Sequence, residues 1–180
     1  MDFLFLLPVA AFLGFPLGIL LAWIAKEELP SGAKYIGYFR QVLIFSIAII
    51  SLVLLFRHAE PWVGLLSIAS GIILAVVLNI AHARLERTKY HFFMDYFSLG
   101  LCVVSAIAVL DRDTLLFFSS LVFLYGLPYS SIFYPKLRHG VVLFSFNLFM
   151  FFVPFPFLLL GDVAVVGFGL SAFYLLLRAR

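Results

Sequence analysis

The sequence predicts an all-α fold, a polytopic transmembrane bundle of seven helices in a single domain over residues 1–180, and three observations predict it. Of the residues, 65% are apolar, against about 45–50% in soluble domains, and the mean hydropathy is +1.18. The 12 basic and 9 acidic side chains are too few to cover the surface of such a chain with groups that water solvates. Those charges also gather in short clusters between apolar runs of roughly 20 residues, the length that crosses a ~30 Å hydrocarbon core.

The first run covers about 3–25 and the second 38–56, separated by the linker Lys26-Glu27-Glu28-Leu29-Pro30-Ser31-Gly32, where Pro30 and Gly32 mark a turn. Arg57-His58-Ala59-Glu60-Pro61 then precedes a third run at 62–83, and the basic stretch 84–89 precedes a fourth at 90–110. Asp111-Arg112-Asp113 ends that run, and a fifth spans 114–133. After the polar connection 134–140, the chain is interrupted only at Pro154-Phe155-Pro156 and at Gly161-Asp162. Two prolines spaced two apart remove two backbone donors and turn their predecessors away from helix. The turn is therefore placed there, giving a sixth helix at 140–153 and a seventh at 157–177. Asp162 then sits about 9 Å into the seventh helix, at 1.5 Å per residue; a turn at Gly161-Asp162, with the aspartate at the surface, is the alternative.

The basic residues orient the bundle, since Lys and Arg accumulate in short cytoplasmic loops. Alternate connections hold Lys26, Lys34, Arg40, Arg84, Arg87, Lys89, Lys136, Arg138, Arg178 and Arg180 on one side and only Arg57 and Arg112 on the other. Seven crossings of the cell membrane then leave the N-terminus outside and the C-terminus in the cytoplasm. No basic flank precedes the first run, so it is expected to be a retained helix and not a cleaved signal peptide.

Small residues recur every four positions at Ala10, Gly14, Gly18 and Ala22 in the first helix, and at Ser67, Gly71, Ala75, Asn79 and Ala83 in the third. In lipid such stripes let backbones approach closely, so the two helices are expected to neighbour one another or to bind a second copy or another membrane protein. Gly14-Phe15-Pro16 and Gly126-Leu127-Pro128 place matching kinks in helices one and five. Helices one to three and five to seven then read as parallel repeats joined by helix four. This three-plus-one-plus-three layout is similar to that of SWEET-type sugar carriers in architecture alone: no proline-glutamine pair follows a helix, and the second run lacks proline. Helix seven has no lysine for a retinal Schiff base.

Polar groups inside apolar helices carry function or hydrogen-bond neighbouring helices. Asp162, Asn147 and Asn79, with the backbone carbonyls freed by Pro16 and Pro128, are the candidates for a substrate or ion pathway. His82 and Glu86, then His91 and Asp95, are each four residues apart and face one way on a helix. Two imidazoles and two carboxylates can hold a divalent metal or work as general acid and base near neutral pH; local ion pairs use the same spacing. Arg84, Arg87, Lys89, Lys136 and Arg138 can hold a lipid phosphate or other anion, or simply anchor the helices at the lipid headgroups. The 8 tyrosines are expected at the headgroup belts, and the 23 phenylalanines in lipid-facing and core space.

Composition excludes several classes. A lone Cys102 in an apolar run supports neither a disulfide nor dithiol redox chemistry. The net charge of +3 comes from juxtamembrane clusters, so no nucleic-acid partner is expected. No Walker loop, dinucleotide glycine fingerprint, zincin sequence or nucleophile elbow occurs, the histidines are not paired in mid-membrane as haem would require, and no cofactor is implied. Gln41, Asn79 and Asn147 are the only carboxamides, a depletion reported for thermophiles that membrane residence also produces. The expected function is a small carrier or channel-like protein with a polar cleft between helices one, three, five and seven. A membrane subunit or scaffold, or a lipid-headgroup enzyme on the cytoplasmic loops, are the alternatives.

Overall fold

The computed structural model describes residues 6–84, 91–133 and 140–178. Among them the secondary structure is helical throughout, in seven α-helices: α1 (Leu6–Ile24), α2 (Leu29–His58), α3 (Pro61–Arg84), α4 (His91–Val109), α5 (Arg112–Phe133), α6 (Gly140–Phe152) and α7 (Val166–Arg178), with a 3-10 segment at Phe155–Val165 between the last two. Three of them, α1, α2 and α5, are long and apolar enough to cross a membrane; the other apolar helical stretches, 61–74, 94–109, 144–159 and 166–177, are shorter.

Local chemistry sets most boundaries. Asp111 caps α5: the Thr114 amide donates to Oδ2 at 3.2 Å and the Thr114 hydroxyl to Oδ1 at 2.7 Å, satisfying a first-turn donor that has no partner within the helix. These bonds to Thr114 hold the Asp111 carboxyl below the usual carboxylate range. Between α1 and α2 the predicted linker is shorter than expected. The chain turns over 25–28 and is helical from Leu29, with Pro30 in the first turn, where a missing N–H costs nothing because that position has no acceptor. The Ser31 hydroxyl donates to the Glu28 carbonyl at 2.7 Å. At 30 residues α2 is about 45 Å long.

The predicted seventh helix is also corrected. α6 ends at Phe152, just before Pro154, as the proline spacing requires, but the following residues form a 3-10 segment and not an α-helix. Gly161 lies inside it at φ 57, ψ −129, a conformation open essentially to glycine. Both interruptions are therefore used, and α7 keeps only 13 residues.

Packing is largely between helices distant in sequence. α1 lies against α5, α3 against α7, and α7 also against α2 and α4; α4 further contacts α6 and the 3-10 segment, and α5 contacts α2. The small-residue stripes thus meet other helices rather than each other. Gly14 abuts the Phe123 backbone, Gly18 abuts Leu127 and Ser130, and a Cβ on Gly126 would stand 2.7 Å from the Gly14 carbonyl carbon. The Ser131 hydroxyl donates across the same contact to the Gly18 carbonyl at 3.0 Å. On α3, the Ser67 hydroxyl donates to the Val166 carbonyl at 2.8 Å, and a Cβ on Gly71 would stand 2.7 Å from the Gly169 oxygen. Such interhelical hydrogen bonds contribute about 0.6 kcal/mol each in a membrane; the close backbone approach supplies dispersion contact along the crossing.

These contacts fix relative directions. Residue numbers rise together along α1 and α5 and along α3 and α7, so each pair is parallel. Phe118 meets Phe168 at 6.0 Å near the starts of α5 and α7, while Tyr129 and Tyr174 both lie beside the 95–96 pair on α4, so α5 and α7 are parallel as well. α4 opposes α7: Ser105 donates to the Ala164 carbonyl at 2.7 Å, and ten residues earlier Asp95 meets Tyr174. α1 and α5, the helices that carry the Gly-x-Pro motifs, cross at their equivalent glycines; α2, with 30 residues, has no counterpart of its length in the 13-residue α6.

Candidate functional site

The polar groups that the fold brings together are centred on α4. Asp95 falls one turn into the helix, about 6 Å along its axis from His91, and its side chain is 0% exposed. The Tyr174 hydroxyl of α7 donates to Asp95 Oδ1 at 2.9 Å, a bond to an ionisable acceptor in a low-dielectric setting, where a missing partner is costly. Antiparallel packing of α4 on α7 places these two residues at the same level.

Tyr96, the next residue, points into a cluster of rings. Its centroid lies 5.1 Å from Phe15, 5.7 Å from Phe12, 5.2 Å from Tyr129 and 6.3 Å from Phe151, all four pairs being edge-on. Tyr125 continues the series, 5.4 Å from Tyr129. α1, α4, α5 and α6 thus each contribute rings to one buried cluster beside Asp95. Edge-on arrangements place positive ring edges on negative faces and contribute about 0.5–1.5 kcal/mol per pair beyond area burial. The Tyr96 hydroxyl is buried and has no hydrogen-bond partner among the described residues.

The residues singled out from sequence are placed as follows. Asn147 is buried on α6, which packs against α4. Pro128 is buried in α5 and Pro16 half-buried in α1, each two residues beyond the glycine at which the helices cross. Asp162 follows Gly161 in the 3-10 segment, and Asn79 lies on α3; their side chains, with those of Ala75, His82, Arg84 and His91, lie outside the described residues, as do Glu86, Arg87, Lys89, Lys136 and Arg138. Asp95 is thus the one member of the expected His82, Glu86, His91, Asp95 set whose side chain is described, and a phenol holds it. Among the described residues no three His, Cys, Asp or Glu side chains come together. Cys102 is buried, 3.4 Å from the Ser51 hydroxyl, packed between α4 and its neighbours.

Sequence reasoning placed the tyrosines at the headgroup belts and missed their burial beside Asp95. The available signal was the adjacency of Asp95 and Tyr96 just inside the fourth apolar run, at a position too far in for a loop. Between Asp95 and Tyr174 lie 79 positions, and no local pattern joins them. The chain matches no protein-family model, no curated protein and no solved structure.

Proposed function

We propose that the chain is a small membrane carrier that crosses the bilayer seven times, with the pathway bordered by the kinked helices α1 and α5 and by the polar residues of α4, α6 and α7. The observation that carries this reading is the parallel crossing of α1 and α5 at Gly14 and Gly126, with Pro16 and Pro128 at matching positions beyond the contact. Proline-bearing segments at corresponding positions of two halves point to midplane sites in carriers built from repeats, and the carbonyl that each proline leaves without its donor needs a partner from a neighbouring helix, a hydroxyl side chain or water. The buried Asp95 and Asn147 supply the polar groups, which are costly in lipid unless they are used.

Use as a scaffold through the small-residue stripes fits less well. Gly14, Gly18, Ser67 and Gly71 already contact α5 and α7 of the same chain, which leaves those faces little room for another protein.

The test is solute permeation. Proteoliposomes exposed to inward gradients of urea, glycerol, glucose or alanine are expected to re-swell faster than empty vesicles for at least one solute, followed by stopped-flow light scattering. Pro128→Ala, which restores a backbone donor at the kink, is expected to reduce that rate about tenfold or more, the size of a ~1.4 kcal/mol change in barrier. Protein-dependent swelling with none of the four solutes overturns the carrier reading.

A further inference from the structure

We propose that Asp95, held by Tyr174, is a proton-binding site that switches the contact between α4 and α7, and that under the carrier reading above the coupling ion is the proton. Three observations converge on it. The carboxyl is fully buried near the start of an apolar helix; its donor belongs to a second helix; and the phenol of Tyr96, the next residue, is buried with no hydrogen-bond partner among the described residues.

The size of the site selects the ligand. Phe12, Phe15, Tyr129 and Phe151 close around Tyr96 at centroid distances of 5.1–6.3 Å, all 3% exposed or less. Asp95 itself is 0% exposed, and a proton, which needs no coordination shell, is the cation that binds its carboxylate without repacking.

The elements packed against Asp95 bring these ionisable groups among the described residues. α7 offers Tyr174 and, one turn on, Arg178; α5 offers Tyr125 and Tyr129 at this level, with Arg112 and Asp113 at its opposite end; the 3-10 segment offers Asp162; α6 has none. On α4 itself stand Tyr96 and, one turn earlier, His91. The side chains of Arg178, Asp162 and His91 lie outside the described residues. In the ionised state the Tyr174 O–H donates to a carboxylate, a charge-assisted bond roughly twice as strong as a neutral one. A proton from the aqueous phase beside the α4 N-terminus binds a carboxylate oxygen, the negative charge is lost, and the same O–H then donates to a neutral acid. Protonation therefore weakens the tie between α4 and α7 with no other atom exchanged.

The experiment is an infrared pH titration of the intact protein in liposomes, paired with solute re-swelling at the same pH values. On acidification a carboxylic-acid carbonyl band is expected to grow in; it is expected to be missing in Asp95→Asn, and in Tyr174→Phe to persist at higher frequency because the carbonyl has lost its donor. The re-swelling rate of the wild type is expected to follow the protonated fraction, changing about tenfold per pH unit on one side of its midpoint, and to be flat in Asp95→Asn. If the wild type shows no Asp95-dependent band, the site is refuted even when solutes permeate. An Asp95 band without any permeation leaves the site standing and removes the carrier reading alone; permeation indifferent to pH and to Asp95→Asn refutes the coupling.

Discussion

Gly14 and Gly37 are the same residue type in two helices, yet the surroundings of the missing Cβ separate them. At Gly14 the added carbon would run into the Phe123 carbonyl on α5, whereas at Gly37 nothing lies within 4 Å. Backbone cannot swing aside as a side chain can, so Gly14→Ala must push α1 away from α5 and lose the contact along the stripe. Overpacking of this kind costs about 1–3 kcal/mol, while Gly37→Ala gains up to about 1 kcal/mol of helix propensity. The two variants are expected to move the thermal unfolding midpoint in detergent in opposite directions, Gly14→Ala downward. Equal midpoints would mean that the α1/α5 crossing is looser than the geometry states. The same logic explains why the tyrosines of the candidate site are conspicuous only in three dimensions. A tyrosine is at home both at a headgroup and in a core, and only its neighbours, such as Phe15 at 5.1 Å from Tyr96, distinguish the two.

Helix boundaries were legible for three helices bounded by charge: the expected 62–83, 90–110 and 114–133 correspond to Pro61–Arg84, His91–Val109 and Arg112–Phe133. They were not legible at the start of α2, where Lys34 and Arg40 lie inside the helix. Proline and glycine were less informative, since each has two uses. Pro30 reads as a linker residue but serves in the first turn of α2, and Gly161 reads as the alternative turn to Pro154–Pro156 but holds a positive φ inside the 3-10 segment. That last position gives a clean test of backbone strain. A Cβ at Gly161 meets nothing within 4 Å, so any loss of stability in Gly161→Ala comes from the dihedral angles alone. The expected loss is about 1–3 kcal/mol, read as a lower unfolding midpoint than that of Gly37→Ala; coincident midpoints would show that residue 161 is not confined to φ 57. The junction is held from two sides, by Ser67 at the Val166 carbonyl and Ser105 at the Ala164 carbonyl, so the strain is not relieved by shifting α7.

Across the whole molecule, the contacts make α1, α5 and α7 mutually parallel, α3 parallel to α7, and α4 opposed to α7. A chain that crosses the bilayer at every helix, as proposed, requires this alternation, and the distribution of basic residues predicts the absolute direction. Exposed positions in the described connections make both parts measurable, because Cys102 is the chain's single cysteine and is buried. With Glu60→Cys or Asp113→Cys, both exposed, a membrane-impermeant maleimide is expected to label intact cells; with Lys26→Cys or Lys34→Cys, also exposed, labelling is expected only after permeabilisation. The pattern separates two errors. A full reversal would keep the crossings and refute the orientation, since every connection would change sides together. Glu60 and Asp113 reacting from opposite sides would instead mean that α3 and α4 do not both cross, which would take Asp95 out of the bilayer along with the reason for its burial to be costly. Labelling of Lys34→Cys and Glu60→Cys from the same side would remove the crossing of α2, the longest of the three helices that qualify by length and composition.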